Sequence, residues 1–285
     1  MISRRQFLLG GTAITAGVAL TLNGLYIEPN NIKESYHQIQ TNKLDAPLRI
    51  VHLTDLHLDK DTKRDYVVQM VNNRNPDLIL LTGDYLNHDE VDKPNFEKLK
   101  EFVNGLNAKQ GIYACFGNWD EGLEDKLFLD TNVKALRDET ITLEEDLKKI
   151  TISGLDFAWY NFPKWATDKT LKTLNDEKFN ILLYHSPDLI ENISEFPIDL
   201  YLAGHTHGGQ VNIPFIGPVY APSKYGKKYA SGMFEVDKTK LYVNRGLGMQ
   251  KGLPMRLFCP PEIATFDIGK QEKLPKKEYL FPSNL

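Results

Sequence analysis

Seven residues carry carboxylate, imidazole or amide groups at the spacing of metal ligands. Asp55 and His57 lie in TDLH, Asp84 in TGDY, Asn118 in GNWD and His185 in LYHS, and His205 and His207 lie in AGHTHGG. The set offers oxygen and imidazole nitrogen and no thiolate. That chemistry suits Mn, Fe or Zn at a catalytic centre and not a structural zinc. Asp55/His57 and His205/His207 are i,i+2 pairs, and an extended chain projects both members of such a pair to one side. Seven ligands exceed what one ion takes from a protein and suit two ions sharing a carboxylate. Each fragment alone is weak, because Gly-Asp after an apolar run is commonly just a turn. GHTHGG is the strongest, since two histidines flanked by glycines have little packing role.

Strands must position these residues, because each follows the last apolar residue of a run. LRIVHLTD ends at Asp55, DLILLTGD spans 77–84, and GIYACFGN ends at Asn118. Helical periodicity fills 62–74, stopped by Asn75-Pro76, and 94–107. The first half therefore runs strand–helix–strand–helix–strand, the signature of a mostly parallel sheet. The second half is richer in strands: KKITISGL, FNILLYH, IDLYLAGH, SGMFEVD, KLYVNRG and EIATFDI, with helices expected at 167–176 and 187–194. Two facing sheets with helices outside account for this count, and the carboxyl ends of strands in such sheets are where sites form. Residues 28–46 read as a linker and 271–285 as a C-terminal tail.

The composition is that of an ordinary globular chain: 285 residues, 41% hydrophobic, 25% charged. A net charge of −4 offers no basic face, so no nucleic-acid partner is expected. Two cysteines, Cys115 and Cys259, make neither a disulfide framework nor a metal finger. Cys115 sits in an apolar run and reads as a buried thiol. The N-terminus is separate: Arg4 and Arg5 precede Phe7 and Leu8, and no residue from Gln6 to Ile27 is charged. This looks like a twin-arginine export signal. Residues 1–27 are then either a cleaved signal or a membrane anchor with contact through residues 6–27, since twenty-two uncharged residues can span a bilayer. The export machinery is the partner implied, and the domain would lie on the extracytoplasmic side.

The ordered set D-x-H at 55–57, G-D at 83–84, G-N-x-D at 117–120, the lone His185 and G-H-x-H at 204–207 resembles the calcineurin-like metallophosphoesterase family. The leader, GHTHGGQ, YGKKYASG and NRGLG are similar to its exported bacterial phosphodiesterase branch. The resemblance covers residues 47 to about 270. It implies an α/β fold, a four-layer αββα sandwich, over 47–270, with two divalent metal ions (Mn, Fe or Zn). It assigns Asp55, His57 and His207 to one ion and Asn118, His185 and His205 to the other, with Asp84 bridging. Two divalent ions against two carboxylates and a bridging hydroxide leave the centre net positive, so it attracts phosphate. The implied activity is hydrolysis of phosphodiesters or pyrophosphates by that hydroxide, on a phosphoester that is lipid- or nucleotide-linked in some relatives. Asp84, Asn118 and His205 form the implied catalytic set. Two rivals stand: a UDP-2,3-diacylglucosamine pyrophosphatase-like enzyme of lipid A synthesis, and a non-catalytic metal-binding relative.

The chain departs from the family pattern at Trp119, where the family usually has a histidine that protonates the leaving oxygen, oriented by the acid matching Asp120. An indole N–H donates a hydrogen bond but transfers no proton usefully at neutral pH. Trp119 is then a wall that stacks on a substrate base or sugar, a filler beside the metals, or the mark of a centre that binds without turnover. His88 is either a substitute acid or a solvated surface histidine. Lys224, Lys227 and Lys228 in SKYGKKY, together with Arg245 and Arg256, either grip a substrate phosphate or sit solvated. His52 reads as structural. Phe215, Tyr220 and Met249 either line an apolar path for a lipid or belong to the core.

Overall fold

The computed structural model describes residues 15, 17–58, 64–87, 94–143, 149–158, 164–250 and 252–275. Arg4, Arg5, His88 and the tail beyond 275 lie outside the described residues. Two six-stranded sheets carry the fold. The first runs, across the sheet, β1 (Lys33–Gln40), β14 (Glu262–Gly269), β2 (Leu48–Leu53), β3 (Leu78–Thr82), β4 (Ile112–Cys115) and β5 (Val133–Ala135). The second runs β12 (Gly232–Val236), β13 (Thr239–Val243), β9 (Leu200–Ala203), β8 (Phe179–Leu183), β7 (Ile150–Gly154) and β6 (Glu139–Thr142). A short hairpin of β10 (Asn212–Ile213) and β11 (Gly217–Pro218) stands apart. Strands β2 to β5 are parallel, as are β7, β8, β9 and β13, with antiparallel partners at β14, β12 and β6.

The continuous apolar runs are explained by burial on both faces. Along β2 and β3, Ile50, Leu78 and Leu80 point between the sheets and meet Ile152, Ile181, Leu183, Leu200 and Leu202. Their neighbours Val51, Leu53, Ile79 and Leu81 point outward. There they meet Val67 and Val71 of α1 (Arg64–Asn72) and Leu99, Phe102 and Val103 of α2 (Phe96–Gly105). A third cluster backs the second sheet: Leu182, Tyr201 and Leu241 pack on Leu189, Ile190 and Leu171. Helix, sheet, sheet, helix is the layering expected, and truncating a central residue such as Leu80 would cost about 2–5 kcal/mol. Helix α2 starts where Asn95 accepts a hydrogen bond from the Lys98 N–H at 3.2 Å.

Some expectations need correction. Residues 28–46 are no linker, because β1 pairs in parallel along the whole length of β14 and forms the sheet's edge. Its polar residues find partners there: the Ser35 hydroxyl lies 3.0 Å from that of Tyr242, and the His37 ring stacks on Phe266. The helix expected at 187–194 is a 3₁₀ turn, Pro187–Asn192, whose start is capped by Ser186. The one expected at 167–176 is a helix over Lys164–Leu171, α4, the third, α3, being the short Glu124–Leu127.

Candidate metal centre

All seven candidate ligands follow strand ends at one edge of the sandwich. Asp55 and His57 follow β2, Asp84 follows β3, Asn118 follows β4, His185 follows β8, and His205 and His207 follow β9. Asp55, His57, Asp84 and His207 each place a ligand atom within 4.8 Å of the others; Asp84, His185 and His205 do the same. Asp84 is common to both groups. Asn118 joins the second, its Oδ1 lying 2.8 Å from His205 Nδ1.

The hydrogen bonds fix which nitrogen each ring offers. His57 Nδ1 lies 2.9 Å from Asn87 Oδ1, and His185 Nδ1 lies 2.5 Å from the Thr82 carbonyl. Both partners are acceptors, so each Nδ1 carries the proton and each Nε2 presents a lone pair. His57 Nε2 faces His207 Nε2 at 3.2 Å, and His185 Nε2 faces Asp84 Oδ2 at 3.2 Å. Among the described residues, buried Asp84 Oδ2 and His185 Nε2 find no hydrogen-bond donor or acceptor of good geometry. Converging lone pairs without donors fit cations, and the mixed oxygen and imidazole set fits two divalent ions.

The electrostatics agree. Burial disfavours a charged His185, yet the Asp84 and Asp55 carboxylates outweigh it and raise its pKa to about 9. Burial would raise Asp84, but His185 and His57 outweigh it and hold the carboxylate below its usual range. Burial pushes His57 down to about 4 and His205 to about 3. Burial lifts Asp55 to about 7, and the Asp84 charge adds to this while His185 opposes it. The pocket thus asks for positive charge that its own imidazoles supply only by protonation. Bound cations would supply it and leave the rings free to ligate.

The backbone here is held in an unfavourable form. Asp55, His57, Asp84, His205 and His207 all have left-handed φ, between 40° and 68°. Such conformations cost of order 1–3 kcal/mol each where the side chain is not glycine. Backbone bonds beyond the strand ends hold them: Asp55 N–H donates to the Gly83 carbonyl, His57 N–H to that of Asp84, and Gly248 N–H to that of Asp55. Two glycines bring the loops into contact. A side chain at Gly117 would collide with the Asp84 carboxylate, and one at Gly204 with Asp55 and Thr54.

Asp120 is not free to orient an imidazole at 119. Its carboxylate is fully buried and accepts from three backbone N–H groups, those of Asp84, Tyr85 and Gly117, at 2.8–3.0 Å. It ties the Asp84 loop to the Asn118 turn. The half-buried Trp119 donates its backbone N–H to Asp84 Oδ1 at 2.8 Å, and its ring meets His57 edge-on at 5.7 Å.

Arg256 is not a phosphate grip. It is fully buried, and its guanidinium donates to the carbonyls of Arg245, Gly246, Gly248 and Cys259. It braces the loop that follows β13, whose Gly246 and Gly248 press against Asp55 and His57. Arg245 is engaged with Glu262 at 3.0 Å. Lys228 pairs with Glu191, while Lys224 and Lys227 are exposed. His52 is buried with Nε2 at 2.8 Å from the Thr82 hydroxyl, as a structural histidine should be. The Met249 carbonyl accepts from Asn87. Sequence reading missed Asn87, because an amide in a polar loop carries no signal of its own.

A cavity of about 430 Å³ adjoins the centre at His205, lined also by Tyr184, Asp188, Leu189, Tyr220 and Lys224.

Comparison with known proteins agrees with this geometry. The pattern of the family described as calcineurin-like phosphoesterase matches residues 48–209. The chain is 36% identical to the uncharacterized metallophosphoesterase YkuE of Bacillus subtilis, over 94% of this chain and 98% of that one. It is 30% identical to the phosphodiesterase YaeI of Escherichia coli, over 94% of this chain and all of that one. It is 29% identical to the UDP-2,3-diacylglucosamine pyrophosphatase LpxG of Chlamydia muridarum, over 88% of this chain and 94% of that one. The buried, doubly clustered Asp and His ligands are what such hydrolases need, and this chain belongs to the calcineurin-like phosphoesterase family of metal-dependent hydrolases.

Proposed function

We propose that the chain cleaves phosphodiester or pyrophosphate bonds on the outer side of the cytoplasmic membrane. The observation that carries the chemistry is Asp84, fully buried and common to both ligand clusters. Asp55, His57 and His207 would hold one divalent ion, and Asn118, His185 and His205 the other, with Asp84 between them. Two such ions, when bound, would supply positive charge to polarise the phosphoryl group and offset charge developing on its oxygens.

The chain's own residues do the rest. Asn118 would ligate through a neutral oxygen and so preserve the positive charge. Asn87 and the Thr82 carbonyl fix the His57 and His185 tautomers. Asp120 holds the Asp84 and Asn118 loops in register. Trp119 covers His57 and donates no proton, so the favoured leaving groups need little protonation: nucleotides, pyrophosphates and aryl phosphates. The names of YaeI and LpxG, a phosphodiesterase and a pyrophosphatase, support these bond types. Arg4 and Arg5 before an uncharged run support export. A role on UDP-2,3-diacylglucosamine, as LpxG's name has it, is the rival reading, which fractionation showing the domain inside the cell would favour.

The test is a panel of phosphodiesters, phosphomonoesters and nucleoside diphosphates against protein loaded with Mn. Elemental analysis should approach two ions per chain, and diesters or pyrophosphates should turn over faster than monoesters. Two ions bound with no turnover of any class would favour the non-catalytic reading and overturn this one.

A further inference from the structure

The β10–β11 hairpin grows directly out of the second metal-binding loop, and its tip is built against local rules. Residues Ile213-Pro214-Phe215-Ile216 form a tight turn closed by the Ile216 N–H on the Ile213 carbonyl at 3.0 Å. Phe215, in the third place, has φ +67°. That place in a turn with proline second normally takes glycine or asparagine. A bulky aromatic is held in a strained conformation there, and it is fully exposed, at 109% relative to an extended reference. Ile213, Ile216, Val219 and Tyr220 are exposed beside it. No folding advantage comes from presenting these side chains to water, so the tip reads as made for an apolar environment.

Two neighbouring segments say which environment. Residues 17–22 are helical and continue into the π-helical turn Asn23–Ile27. Val18, Leu22 and Tyr26, four residues apart, form an exposed apolar stripe along it. This helix is the end of the uncharged run from Gln6 to Ile27. It is laced to the hairpin through one loop. The Gly24 carbonyl accepts from Arg256 N–H, the Leu257 carbonyl accepts from Asn212 N–H, and Leu257 bridges Val211. The hairpin and the helical residues 17–27 are thus tied to one loop, and the three together make one face. Leu253 and Phe258 of that loop are exposed as well.

We propose that this face docks on a phospholipid bilayer, with Phe215 and Ile216 inserted among the acyl chains. Tyr220, at the hairpin's foot, is 70% exposed and lines the cavity that reaches His205. Docking therefore sets the cavity mouth at the membrane surface, and the substrate class is a phosphodiester or pyrophosphate carried by a lipid. Lys224, exposed on the cavity wall, would meet anionic headgroups. The inference rests on the phosphoesterase reading above.

The test uses the full chain in vesicles of phosphatidylethanolamine and phosphatidylglycerol. An environment-sensitive fluorophore is attached at Phe215→Cys or, as control, at Asp237→Cys. Asp237 is exposed in the turn joining β12 to β13, at the strand ends opposite the centre. The native cysteines are both buried. The label at 215 should brighten and shift to the blue with vesicles and be quenched by lipids brominated in the acyl chains, while the label at 237 does neither. Membrane attachment by residues 6–27 alone would leave both labels in water and overturn the proposal. Brightening at 215 without vesicles, rising with protein concentration, would assign the face to a second copy of the chain and also overturn it. As a second arm, Phe215→Asp with Ile216→Asp should raise KM for a vesicle-borne lipid diester about tenfold or more, given the apolar burial removed. The same variant should turn over bis(p-nitrophenyl) phosphate unchanged. Failure of the natural chain on that soluble diester would count against the phosphoesterase reading, whereas the label reports depth without catalysis.

Discussion

The two halves of the metal centre are built differently. Around Asp55, His57 and His207 every ligand is almost wholly buried, Asn87 locks the His57 ring, and Arg256 clamps the covering loop by its carbonyls. Around Asn118, His185 and His205 the burial is uneven: His185 is fully buried against the Thr82 carbonyl, but Asn118 is half-buried, His205 borders the cavity, and Phe157 rather than a charged clamp touches its ring. The first half is buried throughout, whereas the second meets the cavity at His205. On the function proposed above, the difference divides holding ions from admitting substrate between the halves, with Asp84 common to both clusters.

The hardest way to break that division is to remove its shared member. Asp84→Ala should lower kcat/KM by about 10³-fold or more and take bound metal with it, as elemental analysis on the same sample would show. Full activity in that variant would end the site assignment. The next test strikes the closed half alone. Arg256→Met leaves buried carbonyls without donors and should cost about 3 kcal/mol of stability, read as a fall in the urea midpoint. Lys224→Ala, on the open half, should leave that midpoint in place, because exposed substitutions stay within about 0.5 kcal/mol.

A third prediction concerns the floor under both halves. Burial pushes His52 down to about 3 from 6.5. The unfolded chain binds the proton below pH 6.5 and the folded chain does not, so stability is full above 6.5 and falls as pH drops toward 3. One such histidine costs about 2 kcal/mol at pH 5. The natural chain should lose more than His52→Gln does between pH 7 and pH 5 in urea titrations; parallel curves would show that His52 is not the group involved. The smallest effect is expected at the seam. The natural chain's rates should depend steeply on leaving-group pKa across a series of aryl phosphodiesters. Trp119→His should flatten that dependence only slightly, by about tenfold for the poorest leaving group, below the 10²–10⁴ of a positioned acid. Asp120 is committed to backbone N–H groups and cannot orient the new ring. A shallow slope in the natural chain would mean that another acid already serves.

The clustered candidate ligands were legible because each closes an apolar strand run with a residue that strands avoid. The two-sheet sandwich was legible for the same reason, as its central strands are continuous runs such as LILLT. Edge strands were not. KESYHQIQ in β1 carries apolar bulk only at Tyr36 and Ile39, since one side of an edge strand faces water, and VKA in β5 is too short to show a period. The braces were illegible for another reason. Asp120 and Arg256 bind backbone groups from loops distant in sequence, and nothing in a residue's identity says which N–H or carbonyl will be left over. The left-handed turn at Asp55 is of that kind too: its support comes from Gly83 and Gly248, not from its neighbours.

The order of strands in the first sheet has a consequence for synthesis. β14 lies between β1 and β2, so residues 262–269 separate two strands made near the start of the chain. Until Glu262 to Gly269 leave the ribosome, β1 has no partner in this sheet and β2 has an open edge. A nascent chain in that state exposes unpaired strand edges of the kind that draw other chains. The domain therefore completes its first sheet only after nearly all of it has been translated, and a chain stopped before Glu262 should stay unfolded however many of its seven ligands it already carries.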